Sequence, residues 1–504
     1  MDRKLTICYT SDIHGYFAAT DYAKARGADT GLCCCAAGFV HDGNSLVIDG
    51  GDTLQGSPFT YWLYSRSQEK SGIAARVMNL AGYQFVTLGN HDFNYGTAEL
   101  ERYLDALDAR CLCANVSGLR GVEDTALVTL QNGLRVGITG VTSQYVPHWE
   151  KSENIAGLSF RPAFDAARDA LEKLRRAGAE VCICLYHGGF ENDVNSGAVL
   201  SKTRENEGWR ICRELDYDLL LSGHQHMPLE NRSFFGTHAC QPPDKASAWL
   251  RVELTAGESG VTVSSSLVEP GAERERQIEK YLAPYEAQTA AFLDTPLGHL
   301  DTALTPLPPL EMALHGSLIA NFFNQVQLEA SGAQISCTCL ANEVRGFSRD
   351  VTVRDIVASY VFPNTLKTIR VNRAVLKAAL ERSAEYFSLD EQGNACISES
   401  FLKPLVMHYN FDYLSGIEAT AELRRPVGNR ITSIRYAGHE LGADETLSLC
   451  LNNYRASGAG GYGCYAHCET LREQSEEISE QIIAYVDRHR NITVDRTRWL
   501  TVKL

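Results

Sequence analysis

The chain has 504 residues, with 47 Lys+Arg against 62 Asp+Glu and a formal net charge of −15. At roughly 100–200 residues per domain, that length asks for two or three domains, each able to bury its own core. Apolar residues at 44% and charged residues at 22% argue against disorder. The acidic balance argues against a protein that grips DNA or RNA by neutralising phosphates with Lys and Arg. Small anionic ligands stay open where bound cations reverse the local sign.

In chain order, the N-terminus MDRKLTICYTSD enters a strand-like run at once and shows no apolar core of a signal peptide. Segments 5–10, 45–52, 85–89, 134–141, 180–187 and 217–224 are short apolar runs, most closed by Gly, Asp or His. Such runs predict strands buried on both faces. Between them, 74–83 and 164–178 are amphipathic. In the second, Phe164, Ala167, Leu171 and Leu174 recur at helical spacing. The alternation predicts a layered α/β domain over 1–268, with ligands gathering at the carboxyl ends of strands. The charged stretch 272–294 reads as a linker helix within 269–300, interrupted or kinked at Pro284. A smaller α/β domain follows over 301–504, with helices at 316–332 and 373–387 and strands at 365–371, 430–437 and 446–453. The longest apolar stretches, such as 181–186, fall far short of the ~20 residues that span a bilayer.

The 16 cysteines fall as Cys33-Cys34-Cys35, Cys111/Cys113, Cys182/Cys184 and Cys337/Cys339, mostly within apolar runs. Positions i and i+2 of a strand share a face, so these read as small buried hydrophobes with free thiols. Free thiols and the immediate first strand point to the cytoplasm; an exported protein that has lost its leader is the alternative. Cys464, His467 and Cys468 are too few for a zinc site.

Five motifs place a metal ligand directly after an apolar strand: SDIHG (Asp12, His14), DGGDTLQGSP (Asp52), GNHDFNYG (Asn90, His91), YHGG (His187) and SGHQHM (His224, His226). Asp-x-His and His-x-His are period-2 spacings, so both side chains of a pair project the same way from extended backbone. Five of the 14 histidines lie in these motifs. Any one alone would more often be a satisfied or exposed His; five strand ends together are a poor accident. Imidazole, carboxylate and amide donors suit Zn, Mn, Fe or Co better than Ca or Mg.

The series resembles the calcineurin-like metallophosphoesterases, and among them the two-domain 5′-nucleotidase family. PNTLKTIRV (363–371), NFDYLSG (410–416) and LNNYRASGAGGYG (451–463) look like the second domain of its 2′,3′-cyclic-nucleotide 2′-phosphodiesterase/3′-nucleotidase branch. The resemblance implies an N-terminal αββα domain with a dinuclear metal centre and a C-terminal α/β substrate-binding domain. Asp12, His14, Asp52 and His226 would hold one divalent ion; Asp52, Asn90, His187 and His224 would hold the second, with Asp52 bridging. Ions ~3.5–4 Å apart polarise a phosphoryl oxygen and lower the pKa of a water. His91 would stabilise the transition state or protonate the leaving group. Several relatives have Asp three residues after this His. Here it is Asn94, which can orient an imidazole but brings no charge, a form associated with the cyclic-phosphodiesterase branch.

In the second domain the resemblance implies a base held between the rings of Phe362 and Tyr454, since stacking tolerates every base. Asn364 would touch base or ribose, and Arg345 phosphate or ribose. The expected substrate is a small nucleotide, with no nucleic-acid polymer or membrane as partner; the oligomeric state is not legible. The preferred activity is cyclic phosphodiesterase with 3′-nucleotidase. A 5′-nucleotidase or UDP-sugar hydrolase is the alternative, and a non-catalytic nucleotide-binding protein stands further off.

Overall fold

The computed structural model describes residues 2–200, 204–258, 260–362, 364–403 and 406–504. The chain divides into two compact units, Met1–Ala290 and Ala291–Leu504.

The first unit starts one sheet, moves to a second and returns. Strands β1 (Arg3–Thr10), β2 (Ser45–Asp49), β3 (Phe85–Val86), β4 (Arg110–Leu112) and β5 (Val122–Glu123) lie side by side and parallel. The crossover from β2 to β3 runs through α1 (Ser71–Ala81), buried along Ile73, Val77 and Met78. The second sheet takes β6 (Thr125–Thr129), β7 (Arg135–Thr142), β8 (Val181–His187), β9 (Leu219–Ser222), β10 (Leu229–Phe234) and β11 (Thr237–Gln241) in the order β10-β11-β9-β8-β7-β6. Its central strands β7, β8 and β9 are parallel. The antiparallel strands β12 (Trp249–Gly257) and β13 (Gly260–Val268) then close the first sheet beside β1.

Two apolar layers follow from this arrangement. Leu5, Ile7, Leu46 and Ile48 of the first sheet share one core with Ile138, Ile183, Leu185 and Leu221 of the second. On the other face of the second sheet, Cys182, Cys184 and Leu220 pack with Phe164, Ala167, Leu171 and Leu174. The last four lie on α2 (Ala163–Arg176), which buries them at the predicted spacing. Asp165 in its first turn and Lys173, Arg175 and Arg176 in its last match the helix dipole. The first unit is thus an αββα layered domain.

Several boundaries differ from the sequence expectation. The run 45–52 ends as strand at Asp49, because Gly51 and Asp52 take positive φ. The run 85–89 is strand only over Phe85–Val86. The Cys33-Cys34-Cys35 cluster is buried, but on the short helix Leu32–Ala36. Helix α3 (Arg276–Leu293) continues through Pro284 without interruption. Proline removes one helical N–H, but the helix is pinned to the first unit around that point. Ile278 and Leu282 are buried, Glu275 N–H donates to Cys33 O at 2.8 Å, and Thr20 and Tyr22 hydroxyls donate to Glu286.

The second unit is built on a five-stranded sheet of β14 (Ile335–Cys339), β15 (Thr365–Asn372), β16 (Asp412–Ser415), β17 (Thr446–Asn452) and β18 (Thr470–Glu477), ordered β16-β14-β17-β15-β18. Ile335, Ile369, Leu449 and Leu451 pack against Leu376, Ala379 and Leu380 of helix α4 (Arg373–Ala384). All 16 cysteines are free. Among the described residues, no helix is long and apolar enough to cross a membrane.

Candidate metal centre

The site forms where β1, β2, β3, β8 and β9 end. Asp12, His14, Asp52, His224 and His226 all stand at positive φ, between 51° and 75°. That region costs a non-glycine residue roughly 1–3 kcal/mol and persists only where surrounding structure over-determines it. Here the turns after β1 and β2 lock together: Asp12 N–H donates to Gly51 O at 2.9 Å and His14 N–H to Asp52 O at 2.8 Å. Two motif glycines make room for the carboxylates. A Cβ on Gly89 would lie 2.1 Å from Asp52 Oδ1, and one on Gly223 would lie 2.7 Å from Asp12 Oδ2.

The side chains gather into two groups. Asp12, His14 and His226 present ligand atoms within 4.8 Å of one another, and so do Asp52, His187 and His224. His14 Nδ1 donates to Gln55 O at 2.8 Å and His187 Nδ1 to Gly50 O at 2.7 Å, which turns each Nε2 inward. Asp52 Oδ2 lies 3.1 Å from His187 Nε2 and 3.9 Å from His14 Nε2. One carboxylate oxygen therefore faces both groups. Its other oxygen, Oδ1, accepts the His91 backbone N–H at 2.7 Å.

Electrostatics point the same way. Burial opposes charge on Asp52 and Asp12, yet the imidazoles beside them hold both carboxyls below their usual range. Despite its burial, His187 is pushed up to about 10 by Asp52 and Asp12. His14 is lowered to about 4 by burial and by His226. His14 Nε2 and His226 Nε2 stand 3.0 Å apart, a distance two ring nitrogens hold only with a proton or another cation between them.

The residues fit a divalent cation on one further ground. Asn90 Oδ1 is buried with no hydrogen-bond partner, an omission that costs roughly 1–3 kcal/mol for a polar group out of water. A cation held by this oxygen would satisfy it.

Around the ligands lie groups the sequence reading missed. Asp92, next to His91 in the GNHD motif, accepts backbone N–H bonds from Asp52, Thr53, Leu54 and Gly89 at 2.8–3.0 Å. Burial and the Asp52 charge push its carboxyl up to about 6. Asp49 accepts from Thr10 Oγ1, Gly51 N–H and Thr53 Oγ1. The Trp149 ring stacks on His224 at 5.4 Å, and His224 Nε2 lies 3.2 Å from Glu205 Oε1. The positions of Asp92 and Asp49 inside two of the quoted motifs were the available signals; Trp149 and Glu205 belong to no motif. His91 itself turns Nδ1 to Asn94 Oδ1 at 2.8 Å, and its ring meets that of His14 edge-on at 5.2 Å.

In the second unit, register decides which predicted residues are neighbours. Leu366 of β15 pairs with Asn452 of β17, so Phe362 and Asn364, just before β15, flank the same sheet end as Tyr454, just after β17. Arg345 follows β14, which runs parallel to β17, and its carbonyl accepts the Ser359 hydroxyl at 2.6 Å. Phe362 is half-buried and packs edge-on to Tyr360 at 6.0 Å; Tyr454 and Arg345 are exposed. Beneath Tyr454, the fully buried Arg455 pairs with Asp412 at 2.9 Å and donates to Ala459 O and Tyr409 O. Cys464, His467 and Cys468 are not among the groups close enough to hold an ion.

Known proteins share both units. The calcineurin-like phosphoesterase family profile matches residues 5–228, and the 5′-nucleotidase C-terminal domain profile matches residues 297–467. A Staphylococcus aureus protein assigned as a 5′-nucleotidase and crystallised with alpha-ketoglutarate is 31% identical with a TM-score of 0.69, covering 99% of this chain and 100% of that one. A 2′,3′-cyclic-nucleotide 2′-phosphodiesterase/3′-nucleotidase from Haemophilus influenzae is 22% identical over 91% of this chain and 80% of its own length. The trifunctional nucleotide phosphoesterase YfkN of Bacillus subtilis is also 22% identical over 97% of this chain, which spans only 38% of that longer protein. With both domain profiles in order along one chain and a relative matched end to end, this protein belongs to the two-domain 5′-nucleotidase family of calcineurin-like metallophosphoesterases.

Proposed function

We propose that the protein hydrolyses nucleotide phosphoesters with two divalent cations, acting on 2′,3′-cyclic nucleotides and 3′-nucleotides. The observation that carries the reading is the pair of three-residue Asp/His groups meeting at Asp52, with His91 alongside. Asp12, His14 and His226 would hold one cation and Asn90, His187 and His224 the other, with Asp52 shared. The donor set favours Zn, Mn, Fe or Co. Such a pair supplies Lewis acidity toward a phosphoryl oxygen and a lowered water pKa.

The chain's own residues contribute orientation and a proton. Asp12 and Asp52, kept ionised by their imidazole neighbours, supply the negative charge that would hold the cations. His91, with Nδ1 engaged by Asn94, has Nε2 as the atom that would give a proton to the departing ribose oxygen. Phe362 and Tyr454 would stack on the base, Asn364 would touch base or ribose, and Arg345 would meet phosphate or ribose. The sheet end that Phe362, Asn364 and Tyr454 share supports this assignment. We take 1–268 as the metal-binding domain, 269–300 as the linker region and 301–504 as the nucleotide-binding domain. The 16 free thiols support a reducing compartment, the cytoplasm.

The Haemophilus relative's name supports the cyclic-ester reading, as does Asn94. The Staphylococcus relative supports a second reading, 5′-nucleotidase. Assaying 2′,3′-cyclic AMP, 3′-AMP, 5′-AMP and a UDP-sugar side by side after loading with Zn, Mn or Co separates them. Turnover of the first two is expected. Turnover of 5′-AMP with silence on the cyclic ester would overturn the preferred branch, and silence on all four with every metal would leave a binding protein.

A further inference from the structure

His91 faces an amide where a carboxylate would serve it better, yet a carboxylate stands one step further out. Glu150 closes the turn Val146–Trp149, its N–H donating to Val146 O at 2.9 Å. Its Oε2 accepts Asn94 Nδ2 at 2.5 Å, and its Oε1 accepts Asn154 Nδ2 at 2.8 Å and Lys151 N–H at 2.7 Å. Asn154 also donates to Asn94 O at 2.8 Å, and its own carbonyl accepts from Thr97 N–H and Oγ1. The segments 94–97 and 150–154 are thus stitched together around the Glu150 carboxylate. The same segment carries Trp149 against His224.

The direction of these bonds is dictated by chemistry. An ionised carboxylate only accepts, so Asn94 must turn its NH2 toward Glu150. That leaves Oδ1 facing His91, and an amide oxygen also only accepts, so Nδ1 of His91 must carry a hydrogen. We propose that Glu150 is the positioning residue for His91, acting through Asn94 to set the ring's Nδ1–H tautomer, so that Nε2 is the nitrogen left to exchange a proton. This rests on the functional reading above. Without Glu150, the Asn94 amide is free to flip and present NH2 to the ring, which reverses the tautomer. The glutamate lies 56 residues beyond Asn94, outside every ligand motif.

Glu150→Gln tests the relay. Its kcat on 2′,3′-cyclic AMP is expected to fall about tenfold, a fraction of a full general-acid effect, with KM within about twofold and both cations retained by elemental analysis. Adding Asn94→Asp to Glu150→Gln should recover kcat to within about threefold of the parent, because the carboxylate then bears on His91 directly. A second readout needs no turnover: ¹⁵N NMR of histidine-labelled, zinc-loaded protein should show one Nδ1–H tautomer for His91 in the parent and a mixture in Glu150→Gln. An undiminished kcat in Glu150→Gln, loss of its cations, or a double variant no better than the single would each overturn the proposal. If the parent hydrolyses none of the four nucleotide esters, the functional reading fails, and the tautomer populations alone decide on Glu150.

Discussion

Asp12, Asp52 and His187 are at most 1% exposed, whereas Tyr454 stands 45% exposed. The difference separates the two regions to which function is assigned. In the first unit, charged and polar side chains are taken out of water, where each would cost several kcal/mol if left unpaired. Every one must meet a partner, and the strained turns, inward Nε2 atoms and orphaned Asn90 Oδ1 together describe what that partner is. In the second unit, Phe362, Asn364 and Tyr454 flank one sheet end without such a penalty, Arg345 lies in the loop after a neighbouring strand, and their role rests on register and resemblance. Burial makes an assignment testable against its own surroundings; exposure does not.

Substitutions sharpen this contrast, and the largest effect is expected at the shared carboxylate. Asp52→Ala should remove both cations and lower turnover by more than about 10³-fold, read by elemental analysis beside the cyclic-ester assay. His91→Ala should keep both cations while kcat falls about 10²–10⁴-fold. If it loses metal as fully as Asp52→Ala, the division between ligands and proton donor is wrong. Arg455→Ala strands the buried Asp412 and should destabilise the second unit by about 3–5 kcal/mol in denaturant titrations, with metal content unchanged. A variant as stable as the parent would show the ion pair to be idle. Tyr454→Ala should leave folding, metal content and kcat near parental values but raise KM about 5- to 100-fold, the equivalent of losing ~1–3 kcal/mol of stacking. A KM equal to the parent's would remove Tyr454 from the substrate site and weaken the whole assignment at that sheet end.

Much of the fold was legible because buried strands and amphipathic helices write themselves locally. Phe164, Ala167, Leu171 and Leu174 announced their helix by spacing alone, and it buries all four. That Asp12, His14, Asp52, His187, His224 and His226 gather was legible for a related reason, since each motif ends a strand and strand ends converge in layered sheets; their division into two groups came from the resemblance alone. The interruption expected at Pro284 is absent, because local propensity was weighed without the contacts that hold its helix to the first unit. The run 85–89 was read as too long a strand because Thr87, Leu88 and Gly89 are apolar or small for a different purpose: they turn the chain so that Gly89 lies against Asp52. Glu150 and Glu205 left no trace in the sequence, because a carboxylate that serves a site through space has no obligatory spacing to it.

By itself, the sequence determined the alternation of strands and helices and which candidate donor residues stand at the strand ends, which follow from periods of two and 3.6 residues and from donor chemistry. Only the tertiary structure decided which of these side chains come within reach of one another, that one oxygen of Asp52 faces both groups, and that Glu150 stands behind Asn94. Those are distances between segments far apart in the chain, set by how the two sheets pack, and no local pattern carries them.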